Sequence, residues 1–181
     1  MTEEEQMPAN RMTAHEAALA GCLLADSVVL PMVFHLVGLG QMFLPMHIPV
    51  LLAALTLRPR FAIAVGVLAP VTSMLLTGMP PAPFAAMMTV EFVVLTAVAS
   101  VAVSIRHMPI WMAAGAAVLA RCLTTALVSE VFGRYLHLPP GMAGVAAVLS
   151  GVPGIAIQLI AVIPAAAWIR SRSSKRVSMW T

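Results

Sequence analysis

Apolar residues run through this chain in long blocks, broken by proline, glycine and single basic residues. A helix that crosses a bilayer needs about 20 consecutive, mostly apolar residues. By that measure six blocks are candidate spans: Thr13–Val37, Met46–Leu57, Phe61–Leu76, Phe84–Ile105, Ile110–Phe132 and Met142–Ile169. The second and third are short. They are expected to be tilted, partly buried or lengthened by Met42 and Phe43, with a re-entrant hairpin as the alternative. The expected fold class is an all-α membrane protein, a six-transmembrane-helix bundle. It divides into a polar segment over 1–12, the bundle over 13–169 and a basic tail over 170–181.

Composition agrees with the block pattern. Of the 181 residues, 61% are hydrophobic and 9% charged, against roughly 25% charged in soluble domains. The stretch Met1–Asn10 is polar and acidic, so no cleavable leader is expected and the first span serves as the targeting signal. Orientation follows from charge. With six spans, Arg11, Arg58, Arg60, Arg106, Arg170, Arg172, Lys175 and Arg176 fall on one side and only Arg134 on the other. Basic loops stay in the cytoplasm, so both termini are expected there. The net charge of +3 is then a topology signal and not an affinity for nucleic acid. The tail is expected at the anionic inner leaflet. The outer loops Gly38–Pro45, Thr77–Pro83 and Gly133–Gly141 are rich in glycine and proline, which suits defined turns.

The most informative stretch is Leu44-Pro45-Met46-His47-Ile48-Pro49-Val50-Leu51-Leu52. Proline interrupts regular helix, and in hydrocarbon the freed backbone groups must be buried in protein or line a cavity. One reading makes His47 part of a cavity mouth. The other makes the stretch a proline-bent lead-in to a helix, with His47 among the headgroups. Asp26, Glu91, Arg121, Glu130 and Gln158 also lie within or near spans. Such groups are costly in a membrane and usually face the bundle interior or water. Glu91, Arg121 and Gln158, with Thr124 and Thr125 one turn beyond Arg121, could converge on a polar cavity open to the outside. A structural Glu91–Arg121 pair is a compatible alternative. Glu130 is expected to be solvated, and Asp26 to serve packing or a partner contact.

Ala14, Ala18, Gly21 and Ala25 are spaced four, three and four apart and share one helix face. Small residues let helices approach closely in lipid, either inside the bundle, the ordinary outcome in an alanine-rich chain, or against a partner. Cys22 and Cys122 sit in apolar runs and read as buried packing residues, and the scattered methionines as core filler. The five histidines form no helical pair, so no metal site is expected. No metalloprotease, nucleophile-elbow or phosphate-loop motif is present, so no enzymatic role and no cofactor is expected.

Four segments carry a resemblance. They are the 44–52 stretch, Gly66-Val67-Leu68-Ala69-Pro70, Leu76-Thr77-Gly78-Met79-Pro80-Pro81 with Glu91 beyond it, and Gly151-Val152-Pro153-Gly154-Ile155-Ala156-Ile157-Gln158. In order and spacing the chain resembles the substrate-binding S components of energy-coupling factor vitamin transporters, pantothenate-type branch. The resemblance implies a six-helix bundle in a prokaryotic cell membrane that captures a vitamin from outside. It implies docking of span one, through Ala14, Ala18, Gly21 and Ala25, on a transmembrane coupling protein driven by two ABC-type ATPases. His47, Glu91, Arg121, Thr125 and Gln158 become the candidate ligand residues. The family's nickel and cobalt members use a free amino-terminal Met-His, whereas Met46-His47 is internal here. Two other functions stay open. One is a stand-alone secondary transporter coupled through Glu91 or Asp26. The other is a small intramembrane enzyme or assembly factor using His47 and Glu91.

Overall fold

The computed structural model describes residues 3–36, 38, 45–104, 106–136 and 144–178. Every regular element among them is helical: α1 (Glu3–Leu36), α2 (His47–Thr56), α3 (Pro59–Thr77), α4 (Ala82–Ser104), α5 (Ile110–Leu136), α6 (Gly144–Ser150) and α7 (Val152–Ser178). Five contain stretches long and apolar enough to cross a membrane: Ala14–Leu36, Pro59–Thr77, Ala82–Ser104, Ile110–Phe132 and Val152–Ser171. The protein is therefore multi-pass by length and composition. The third block is a full-length candidate on its own, so it does not need a hairpin partner.

The second block differs. α2 has 10 residues, about 15 Å of helix, half the thickness of a hydrocarbon core. Proline sets both limits. Pro49 falls in the first turn, where a missing N–H costs nothing. At the other end Arg58 is extended (φ −62°, ψ 149°), as the residue before a proline prefers, and Pro59 starts α3. Whether Met42 and Phe43 lengthen the block lies outside the described residues. The last block is also divided, by a turn at Gly151 between α6 and α7.

α2 lies at the centre of the bundle. Val50, Leu51, Ala53 and Leu55 are completely buried, and the helix packs against α1, α3, α4, α5 and α7. Its backbone groups find partners on neighbours. Ser100 Oγ of α4 donates to Ala54 O at 3.2 Å, and Arg170 Nη1 of α7 donates to Leu55 O at 3.1 Å. A cation at the C-terminal carbonyls also complements the helix dipole. At the other end Gln158 Nε2 donates to His47 O at 3.3 Å. Gln158 precedes Arg170 as His47 precedes Leu55, so α2 and α7 run parallel. Beside the C-terminal end of α2, Arg58 Nε meets Glu16 Oε1 of α1 at 3.3 Å. Glu16, Arg58 and Arg170 thus gather at one end of the bundle.

The tightest helix contact joins α3 to α4. A Cβ on Gly66 would sit 3.0 Å from Thr96 Cγ2 and Oγ1 and 3.1 Å from Phe92 O. A side chain there would have to push Thr96 or the Phe92 carbonyl back by a few tenths of an ångström. At the far end of α3, Gly78 is left-handed (φ 73°) and caps the helix through its N–H to Met74 O. Gly66→Val should destabilise the folded bundle by about 1–3 kcal/mol through overpacking. Equilibrium unfolding in mild detergent measures it; wild-type stability would show that α3 and α4 separate freely here.

Candidate functional site

Two buried polar groups meet on α4. The first joins α4 to α5. Glu91 is 7% exposed and Arg121 4% exposed. The Thr125 side chain lies within hydrogen-bond reach of the Glu91 carboxylate, which also feels the charge of Arg121. Thr125 Oγ1 donates to Arg121 O at 3.0 Å, one turn back along α5, and Thr124 likewise bonds Ala120 O at 2.9 Å. Glu91 and Arg121 do not close to ion-pair distance. The guanidinium is thinly partnered. Nη2 reaches Cys122 Sγ at 3.8 Å, and buried Nε has no hydrogen-bond partner. Arginine stays protonated in any protein environment, so this cation retains an unfilled demand for an anion or acceptor.

The second group joins α4, α2 and α7. His47 is 2% exposed, and its ring stands edge-on to Phe92, with centroids 4.6 Å apart at 87°. His47 therefore faces the bundle interior and not its surface. Gln158 is fully buried. Its amide donates to His47 O, while its Oε1 has no partner. The turn at Gly151 sets the start of α7, and Gly151, Gly154 and Gln158 are all buried. Phe92 follows Glu91 directly, so α4 carries one residue of each group at the same depth. That depth is about 14 Å along the helix from Ala82, near mid-membrane.

Of the expected site residues, Glu91, Arg121 and Thr125 are brought together, as are His47 and Gln158. Phe92 links the two sets and was not legible in the sequence, because an apolar residue in an apolar block carries no signal. Arg170 was read only as a topology charge; its bond to Leu55 O depends on α2 being short. The outer loop Gly38–Pro45, expected to form a defined turn, lies largely outside the described residues.

The small-residue stripe of α1 is not packed inside the bundle. Ala14, Ala18, Gly21 and Ala25 are exposed, and a Cβ on Gly21 would meet nothing within 4 Å. Cys22, expected to be buried, is exposed on the same side, while Cys122 is half-buried. α1 turns Leu23 and Ser27 inward instead. Asp26 is exposed near the middle of the membrane stretch of α1, and Glu130 is exposed near the end of that of α5.

Arg121→Met should cost about 1–3 kcal/mol of stability, because the buried Glu91 carboxyl loses the cation beside it and is left short of a partner. The double variant with Glu91→Gln should cost clearly less than the sum of the singles, with a coupling of about 0.5–3 kcal/mol. A double-mutant cycle on unfolding measures this; additive effects would mean the two charges do not sense each other. Comparison of the chain with protein-family models, curated proteins and solved structures finds no match.

Proposed function

We propose that this protein is the substrate-binding S subunit of an energy-coupling factor transporter, capturing an acidic, hydroxylated vitamin, with pantothenate as the leading candidate. The observation that carries this reading is the pair of buried, unpartnered polar atoms, Arg121 Nε and Gln158 Oε1, on either side of the His47–Phe92 contact. One is a donor on a fixed cation and the other an acceptor. A ligand carboxylate fits the guanidinium fork in bidentate fashion, and a ligand amide N–H or hydroxyl fits the glutamine oxygen. Glu91 and Thr125 lie beside Arg121 and offer acceptors to a second hydroxyl. Burial makes both unfilled atoms costly in the empty protein, so a ligand that satisfies them gains that energy on binding.

The topology in this reading has six chain crossings in a prokaryotic cell membrane, with both termini cytoplasmic. Support comes from Glu16, Arg58 and Arg170, which meet at one end of the bundle. The partners are a transmembrane coupling protein and two ABC-type ATPases. The exposed face of α1 supports a partner, because its small residues permit close helix packing. Asp26 at the edge of that face is expensive against lipid alone. Catalysis by the chain itself forms no part of the proposal.

The mass of the small molecule that co-purifies with the protein identifies the ligand, and calorimetry then tests the site. Arg121→Lys keeps charge but loses the fork, and should weaken binding on the order of a hundredfold. Wild-type affinity in that variant, or a neutral or cationic ligand, would return Arg121 to a purely structural role. Gly21→Leu and Ala25→Leu should abolish assembly with the coupling protein while leaving ligand affinity unchanged. Normal assembly of both variants in a pull-down would mean that α1 faces lipid only.

A further inference from the structure

A second site, unrelated to the polar groups, lies on the outer surface between α4 and α5. There the two helices leave a groove of about 360 Å³. Ala102, 6% exposed, forms its floor, and Val101, 41% exposed, its rim. Ala97 on α4 and Ala116 on α5 keep it open, since neither side chain extends past Cβ. The lining residues carry no carboxylate, and Arg106 is the one cation among them.

The connection between the helices builds the end of this groove. His107 takes a left-handed conformation (φ 50°), a position more often held by glycine. Met108 N–H then reaches back to Ala102 O at 3.0 Å, and Arg106 N–H to Val101 O at 3.2 Å. The turn therefore folds Met108 over Ala102 and leaves Arg106 exposed at the helix end. Ala97 lies seven residues before Ser104, so the groove runs about 10 Å inward from that end. Ser100 of α4 bonds Ala54 near the C-terminal end of α2, so Arg106 lies at the same end of the bundle as Arg58 and Arg170. Exposed Trp111 and Trp168 lie at the ends of α5 and α7 nearest it, where aromatic side chains mark a membrane–water interface.

We propose that this groove binds one acyl chain of an anionic phospholipid, with the lipid phosphate held by Arg106. Polarity favours a lipid of the adjoining leaflet, because the cation lies at the interface and the apolar trough leads inward from it. Charge favours an anionic headgroup, since a basic residue at the membrane surface attracts phosphate and no acid in the lining opposes it.

The test uses the full chain reconstituted in vesicles of phosphatidylcholine mixed with phosphatidylglycerol, released into detergent and weighed by native mass spectrometry. Wild type should retain one lipid, enriched in phosphatidylglycerol. Arg106→Gln, at an exposed position that leaves the fold intact, should lose about fivefold of that enrichment. Ala116→Phe fills the groove and should lose bound lipid of both kinds while keeping wild-type helix content by circular dichroism. Three results overturn the proposal: equal retention of the two lipids by wild type, wild-type enrichment in Arg106→Gln, or undiminished lipid in folded Ala116→Phe.

Discussion

The constraint on which the rest depends is the placement of a half-length helix at the centre of a membrane bundle. In hydrocarbon a short helix leaves carbonyls and amides at its ends that water cannot satisfy. α2 solves this by lying within the bundle and borrowing partners from α4 and α7 through Ser100, Gln158 and Arg170. The same contacts hold its neighbours in register. Arg170 near the end of the apolar stretch of α7 and Gln158 near its start grip the two ends of α2. Because Gln158 is anchored through its amide nitrogen, its carbonyl oxygen remains available in the interior.

The Glu91–Arg121–Thr125 group shows the opposite balance. A buried cation and a buried anion that sense each other without contact are less well compensated than a closed bidentate pair. That arrangement stores the binding potential on which the proposed function rests: a ligand anion can complete the shell of Arg121 without first breaking an ion pair. Preorganised but incompletely satisfied polar groups cost the empty protein stability, and functional sites commonly carry such costs.

The outer surfaces divide by chemistry. α1 presents small residues with one carboxylate, Asp26, the face on which the proposed partner would dock. The α4–α5 groove presents an apolar trough ending at a cation, a shape that gains most from a lipid. Leu75 and Leu76 of α3, Leu119, Leu123 and Leu127 of α5 and Ile160 of α7 are also exposed and need nothing beyond acyl chains.

The sequence alone determined the helical membrane class, because block length and charge scarcity follow from the bilayer's thickness and low polarity. It also located the gap between the second and third blocks, where Pro59 starts α3. Glu91, Arg121, Thr125, His47 and Gln158 were legible as a set because polar residues in apolar blocks are costly wherever the helices pack. Other features were decided only by tertiary structure. The block 46–57 was legible as short and partly buried, but its place at the centre of the bundle was not, since only the surrounding helices can supply its missing partners. The α1 stripe turned outward and Cys22 with it, because small-residue spacing defines a face but not what that face meets. Phe92 joined the two polar groups, and an open groove formed between α4 and α5, through contacts between residues far apart in the chain. Periodicity along one helix carries no information about which neighbour arrives on each side; that depends on how the whole bundle satisfies its backbone and fills its space.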